Sequence, residues 1–365
     1  MHDVLPPPAG REEPPDPTAP CAHPGGNGPA RSRAAEAFVR YADELAAGRV
    51  DCPLPGSGRT AARFDALAEI AREDLCTARL AEGHLDATAI LAELDGEPVR
   101  PGEYWGVWAA EPPGAGLTAT RTPDGWVLDG IKQYCSGAHS CTHALVTALA
   151  DDGRRLFAVR TGIPGAPGDA ARPASEDGPG CRPVPGTWQA VGMAGSDSPD
   201  VRFTAVPATP VGGVAAYLRR PGFHHGGVGV AACWYGGARA VARVLFERAG
   251  GRADPFTDAH AGAVDLRLHT ADTALARAAE EIDADPLDKA GTAGLRALRV
   301  RTLLAEVCAE VLDRVGRATG AGPLCHDERH ARAVADLTVY VRQHHAERDL
   351  AALGALVCRD AGAGR

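Results

Sequence analysis

Proton transfer near neutral pH calls for imidazole, whose unperturbed pKa is about 6.5. The histidines of this chain occupy a few informative positions. His344 and His345 are adjacent in a run of helical period, Asp336-Leu-Thr-Val-Tyr340-Val-Arg-Gln-His344-His345-Ala-Glu347. Arg342 and Arg348 flank them, so a solvated helix face is the competing reading. His84 follows Gly83 in a helical stretch, where it is either an acid-base group or a packing contact that the glycine permits. His224 and His225 follow a Pro-Gly turn and read as a polar loop. His326 and His330 lie one helical turn apart, a spacing for two metal ligands, but no third ligand accompanies them and no metal is expected.

A different chemistry, the seating of a flat ligand against bare backbone, is written into residues 105–148. Residues 106–110 are apolar and lead into a Pro-Pro-Gly114 bend with a further glycine at Gly116. Missing side chains let a planar ligand reach the main chain. Thr122-Pro-Asp-Gly125 closes a tight turn between two short strand-like runs, and Asp129-Gly130 marks another turn before residues 132–136. A meander of short antiparallel strands is the expectation.

This stretch resembles the middle β-domain of the acyl-CoA dehydrogenase superfamily of flavoproteins. There, a Glu-Pro-Gly-Ala-Gly loop and a later Lys-x-aromatic-x-Ser/Thr strand wrap the flavin. Here Glu111-Pro-Pro-Gly-Ala-Gly116 carries one extra proline, and Lys132-Gln-Tyr134-Cys-Ser136 supplies the aromatic and the hydroxyl. The resemblance implies FAD, with FMN as the alternative, contacted by Trp108, Ala109, Ala110, Gly116, Tyr134 and Ser136. An aromatic ring can cover one flavin face, and a hydroxyl can hydrogen-bond near N5 and O4. The family's Arg-x-x-Phe phosphate motif has a counterpart one residue longer in Arg252-Ala-Asp-Pro-Phe256, which makes Arg252 the phosphate candidate. Residues 188–193 and 200–206 resemble the last strands of that β-domain.

In dehydrogenases of this superfamily a Glu takes the α-proton of a thioester while the flavin takes the β-hydride. The loop between the last two helices normally supplies it. Counting from Asp336 and Tyr340 puts His344 at that position, with Glu347 as the alternative if the register shifts. Members that carry the Glu on the first bundle helix would place it near Gly229 here. The flavin monooxygenase branch tends to use His instead, with a second one in the amino-terminal helical domain, where His84 sits. The resemblance therefore implies His344 and His84 as catalytic groups of a flavin oxidoreductase acting on an acyl-CoA or similar small organic substrate. A monooxygenase using reduced flavin and oxygen is the alternative. A non-catalytic subunit that keeps the fold is the third reading, prompted by the missing Glu, a shortened helical domain and the altered phosphate motif.

Composition bounds these readings. The chain has 365 residues, 45% of them hydrophobic, enough for two or three structural units. No run reaches the roughly 18 apolar residues of a membrane span, and the amino terminus has neither a basic nor an apolar signal region, so a cytoplasmic location is expected. A net charge of −9 argues against a nucleic-acid surface. Ten scattered cysteines without C-x-x-C spacing read as free, mostly buried thiols.

The expected architecture is α+β. It begins with a Pro/Gly-rich disordered leader (1–31), then an amino-terminal helical domain (32–100), a middle antiparallel β-domain (101–212) and a carboxy-terminal four-helix bundle (213–365). Ser32 reads as a helix cap, and two helices are expected to join near Asp74. The bundle helices are expected at residues 228–249, 258–284, 290–318 and 327–353. Family members of this architecture imply a homodimer or homotetramer.

Overall fold

The computed structural model describes residues 32–112, 116–162, 178–252 and 254–363. The expected leader and most of the Gly/Pro-rich loop after residue 162 lie outside the described residues. Helix α1 (Arg33–Ala46) starts at Ser32, whose Oγ accepts the Ala35 N–H at 3.1 Å, and it buries Phe38 and Ala42. Helices α2 (Thr60–Glu73) and α3 (Leu75–Glu93) meet at Asp74. Asp74 is extended and accepts the Thr77 N–H at 2.6 Å, so it caps α3 where the sequence places the joint. Helix α3 is buried along most of its length, from Leu75 to Leu91.

Among the described residues seven strands follow: β1 (Trp105–Trp108), β2 (Leu117–Thr122), β3 (Gly125–Lys132), β4 (His143–Ala150), β5 (Gly153–Arg160), β6 (Gly180–Pro183) and β7 (Val201–Val211). The pairings β4–β2–β3–β7–β5 return to β4, so five strands form a closed circuit, with β1 beside β4 and β6 beside β7. The sheet is mixed, not purely antiparallel: β1 and β2 both run parallel to β4. The expected β2–β3 hairpin forms, but Asp129-Gly130 is a bulge inside one continuous strand, not a turn. Gly130 has φ +126° there, and a Cβ would collide with the Gly116 carbonyl. Strand β3 stops at Lys132, because Tyr134 adopts φ +58° and turns the chain out of the sheet. Residues 188–193 are not a strand either; they lead into a short 3-10 turn at Ala194–Ser196.

The remaining helices are α4 (Ala216–Arg219), α5 (Pro221–Arg252), α6 (Pro255–Ala284), α7 (Ala293–Thr319), α8 (Gly322–His326), α9 (Glu328–Tyr340) and α10 (Glu347–Ala363). Proline at its first position lets α5 begin earlier than expected, so His224 and His225 lie on a helix rather than in a loop. His225 is buried, with Nε2 3.0 Å from the Pro286 carbonyl. The expected last helix is broken: α9 ends at Tyr340, a 3-10 turn follows, and His344 is extended. One core joins α2, α3, α5, α6, α7 and α9 around Trp234, and a second fills the strand circuit around Trp108, Leu128 and Phe203. Five of the nine described cysteines are buried, whereas Cys325 and Cys358 are exposed.

Two glycines separate packing from propensity. At Gly236 a Cβ would strike the Ala68 carbonyl on α2, whereas at Gly262 on α6 it meets nothing within 4 Å. Gly236→Ala is expected to lower stability by about 1–3 kcal/mol. Gly262→Ala is expected to raise it by about 0.5–1 kcal/mol. Thermal unfolding of both variants checks the pair, and equal shifts would refute the assignment of α5 and α2 as a backbone contact.

Candidate active site

The end of β1 and the end of β3 frame a cleft of about 210 Å³ lined by Ala110, Glu111, Gly116, Lys132, Gln133 and Arg154, among others. Its wall is held by charge. Lys132 is buried and donates from Nζ to both the carbonyl and Oγ1 of Thr147, each at 2.8 Å. Burial pulls its pKa down to about 8, against the attraction of Glu111. Glu111 accepts the Thr147 hydroxyl at 2.8 Å, stands 3.8 Å from Lys132 Nζ, and is also ion-paired with Arg154. The Glu and Lys of the sequence motif thus fasten β3, β4 and the loop after β1 together. A larger cavity of about 310 Å³ lies elsewhere, lined by Arg33, Glu73, Arg329 and Arg332. We discount it as a reaction site because its charges pair with one another, as in Arg329–Glu73 at 2.8 Å.

Tyr134, next in the chain to the cleft-lining Gln133, is 56% exposed. Ser136, half-buried, accepts a hydrogen bond from the Ser198 hydroxyl at 3.0 Å. Ser198 in turn lies 2.9 Å from the Ser196 hydroxyl, which donates to the Met193 carbonyl at 2.8 Å. Sequence reasoning missed Ser196 and Ser198; a Ser-x-Ser pair carries no signal until the fold brings it to Ser136. Ala109 is half-buried and Ala110 exposed, both without side-chain obstruction. The Trp108 indole, by contrast, is turned into the core, edge-on to Phe203, with Nε1 donating to the Ser136 carbonyl at 2.9 Å. Its side chain positions Ser136. Arg252 ends α5, and its side chain lies outside the described residues.

Among the described residues the two histidines share no hydrogen-bond partner. His84 is 3% exposed on α3, edge-on to Phe38, and Nδ1 accepts the Trp105 N–H at 3.2 Å. It pins α3 to β1. Burial pushes its pKa down to about 4. His344 sits at the α9–α10 break with its side chain 7% exposed. Nδ1 accepts the Ala346 N–H at 3.2 Å, which places the proton of the neutral ring on Nε2, 3.0 Å from the Thr302 hydroxyl. Burial lowers its pKa, and Asp349, 3.7 Å away, opposes that shift. Gly229 on α5 backs Leu67 and offers no carboxylate.

Between α3, α5 and α9 lies a buried polar cluster that sequence reasoning did not single out. Arg79 meets Glu82 at 2.5 Å, Arg63 meets Asp86 at 3.1 Å, and Tyr340 is buried nearby. Burial holds the Glu82 carboxyl above its ordinary range despite Arg79. Asp336 on α9 accepts the Met193 N–H at 2.5 Å and stands 3.7 Å from Cys76 Sγ, joining α9, the segment before β7 and α3. Among the described residues no group of His, Cys, Asp and Glu could hold a metal ion, and no helix is long and apolar enough to cross a membrane.

No protein-family model matches the sequence, and no curated protein matches it. Solved structures do. FMN-bound TdsC from Paenibacillus sp. A11-2, a dibenzothiophene monooxygenase, superposes with TM-score 0.67 at 18% identity over 88% of this chain and 96% of that one. Methanesulfinate monooxygenase MsuC from Pseudomonas fluorescens gives TM-score 0.66 at 16% identity over 90% and 95%. Glutaryl-coenzyme A dehydrogenase in complex with glutaryl-CoA gives 0.63 at 17% identity over 77% and 75%. The chain has the fold of the acyl-CoA dehydrogenase-like proteins.

The buried His84 makes stability depend on pH. Its folded pKa of about 4 lies below the unfolded value of 6.5, so the unfolded chain takes up the proton first as pH falls. Stability is full above pH 6.5 and is lost as pH falls toward 4, by up to about 3 kcal/mol. His84→Gln keeps an acceptor for the Trp105 N–H and removes the titration. Denaturant unfolding at pH 6.5 and 4 should show a smaller acid loss in the variant; parallel losses would show that His84 does not carry the effect.

Proposed function

We propose that the protein is a flavin-dependent monooxygenase acting on a small organic substrate, with FAD or FMN as its flavin. The observation that carries this reading is His344. At the helix break where dehydrogenases of this fold place a carboxylate, the chain turns an imidazole inward, and Gly229 leaves the other carboxylate position empty. The monooxygenases among the structural neighbours support it. A dehydrogenase would need Glu347, which is exposed in the first turn of α10. The three-domain division, a homodimer or homotetramer and a cytoplasmic location belong to the same reading.

The residues present fit a flavin. Tyr134 offers an exposed ring, Ser136 a half-buried hydroxyl, and Ala110 and Gly116 small residues in the cleft wall. The bound flavin supplies the redox chemistry. Lys132 and Glu111 hold the cleft wall rigid, Trp108 fixes the carbonyl of Ser136, and His344 holds a proton at Nε2 that the Thr302 hydroxyl shares. His84 secures the strand that carries Trp108.

Titration with FMN and with FAD, read by flavin fluorescence, tests the cofactor. Tyr134→Ala should weaken binding by about 0.5–1.5 kcal/mol, a several-fold rise in Kd. Uptake of neither flavin sinks the reading and favours a non-catalytic subunit. In whichever substrate assay shows oxygen-dependent turnover, His344→Ala should lower kcat by about 10²–10⁴-fold. Anaerobic bleaching of bound flavin by an acyl-CoA would instead establish the dehydrogenase.

A further inference from the structure

The interior arginines of this protein sit against carboxylates. Arg63 pairs with Asp86, Arg79 with Glu82, Arg220 with Glu93 at 2.7 Å and Arg296 with Glu281 at 3.6 Å. Arg301 on α7 breaks the pattern. It is half-buried, yet among the described residues no carboxylate lies in ion-pair range of it. Its guanidinium lies over the Trp234 ring, 4.7 Å from the centroid, and donates only to main-chain carbonyls, Gly227 at 2.8 Å and Gln343 at 3.4 Å. Asp349, the carboxylate that influences it most, is taken up by the His345 N–H at 3.0 Å and faces both His344 and His345. Buried cations are ordinarily paired, because desolvation without a counter-charge is costly.

Two donors around the same indole lack acceptors. Trp234 Nε1 is buried without a hydrogen-bond partner. Tyr340 packs edge-on to Trp234 at 6.4 Å, and its buried hydroxyl has no acceptor in hydrogen-bond range, with the Cys233 thiol beside it and the Glu82–Arg79 pair in electrostatic reach. A guanidinium without a carboxylate in ion-pair range and two buried donors without acceptors surround one indole, an arrangement that oxygen atoms of a ligand would satisfy. The place adjoins the proposed reaction centre: Thr302, next to Arg301 in the chain, bonds His344, and the Gln343 carbonyl that Arg301 touches belongs to the same helix break.

We propose that Arg301 anchors the substrate through a small oxyanion, a carboxylate, sulfinate or sulfonate, held by the guanidinium fork beside His344. This rests on the function proposed above and narrows it to small organic anions, a class distinct from a thioester carbonyl. Arginine suits the task because its planar donors match two oxygens at once, whereas lysine offers a point charge. The Gly227 and Gln343 carbonyls fix the orientation of the fork, and the Trp234 face supports it from behind.

The test uses the full chain, with thermal shift and calorimetric titration of propionate, benzoate and methanesulfonate against their neutral amides. The anions should stabilise the protein and the amides should not. Arg301→Gln should weaken anion binding by about tenfold or more. Arg301→Lys, which keeps the charge and guards against a misfolded Gln variant, should weaken it several-fold. No response to any of these anions, equal response to the amides, or undiminished affinity in the two variants overturns the proposal. Flavin fluorescence on the same samples separates the two readings. Flavin uptake without an anion response removes the anchor alone; an anion response without flavin uptake removes the proposed function and leaves the anchor.

Discussion

The backbone of α5 lies directly against the backbone of α2 at Gly236, and the rest of the molecule is arranged around that approach. Only a residue without Cβ fits beneath the Ala68 carbonyl, and Gly237, the next residue, leaves room for Leu75 at the start of α3. Further along the same helix Gly226 faces Asp86 and Gly229 faces Leu67. The glycines thus let the amino-terminal helices sink onto α5, so that Trp234, Leu67, Leu75 and Val311 share one core. Such proximity concentrates apolar burial, at roughly 25 cal/mol per Å², on a single long helix. It also forces the charged residues of α3 inside, where Arg79 and Glu82 must satisfy each other.

The strand circuit shares buried cores with α1 and α3, and hydrogen bonds to buried acceptors fix its place on them. His84 receives the Trp105 N–H, and Asp336 receives the Met193 N–H, so one bond holds the start of β1 and the other holds the segment leading into β7. Both acceptors are buried, and an orphaned N–H at either place would cost about 1–3 kcal/mol. Between these ties lie Trp108, Ser136, Ser196 and Ser198, which makes the orientation of the Ser136 hydroxyl a consequence of how helices meet strands.

Local chemistry was legible in the sequence wherever a local rule suffices. Ser32 caps the helix it was expected to cap, Asp74 falls at the expected joint between α2 and α3, and Thr122 to Gly125 closes the expected hairpin. Features decided by distant partners were not. Parallel pairing of β1 and β2 with β4 depends on crossovers that no periodicity encodes. Asp129-Gly130 has turn residues, but β7 and the Gly116 carbonyl draw it into a bulge, with Asp129 accepting the Ala205 N–H at 2.8 Å. The apolar period of residues 327–353 runs on through His344, yet the chain breaks there and the ring is enclosed by Thr302 and the Ala346 N–H. The resemblance pointed to Tyr134 and Ser136 from motif order, while the inward turn of Trp108 emerged only from packing.

The placement of carboxylates constrains the chemistry this fold can carry out here. A base for carbon acids must be free to give up and recover a proton at the reacting atom. Glu82 is the one carboxyl of the buried α3 cluster that burial holds above its ordinary range, but it lies 2.5 Å from Arg79 and is committed to that pair. Asp86 is held by Arg63, and Asp349 by the His345 N–H. What remains at the helix break is an imidazole, neutral because burial lowers its pKa, with its proton on Nε2 and a hydroxyl to share it. A neutral imidazole can donate to an oxygen atom and be reprotonated without leaving an uncompensated charge in the core. The same enclosure that disfavours a free carboxylate suits the role proposed for His344, and the neighbouring Arg301 has no carboxylate in ion-pair range among the described residues.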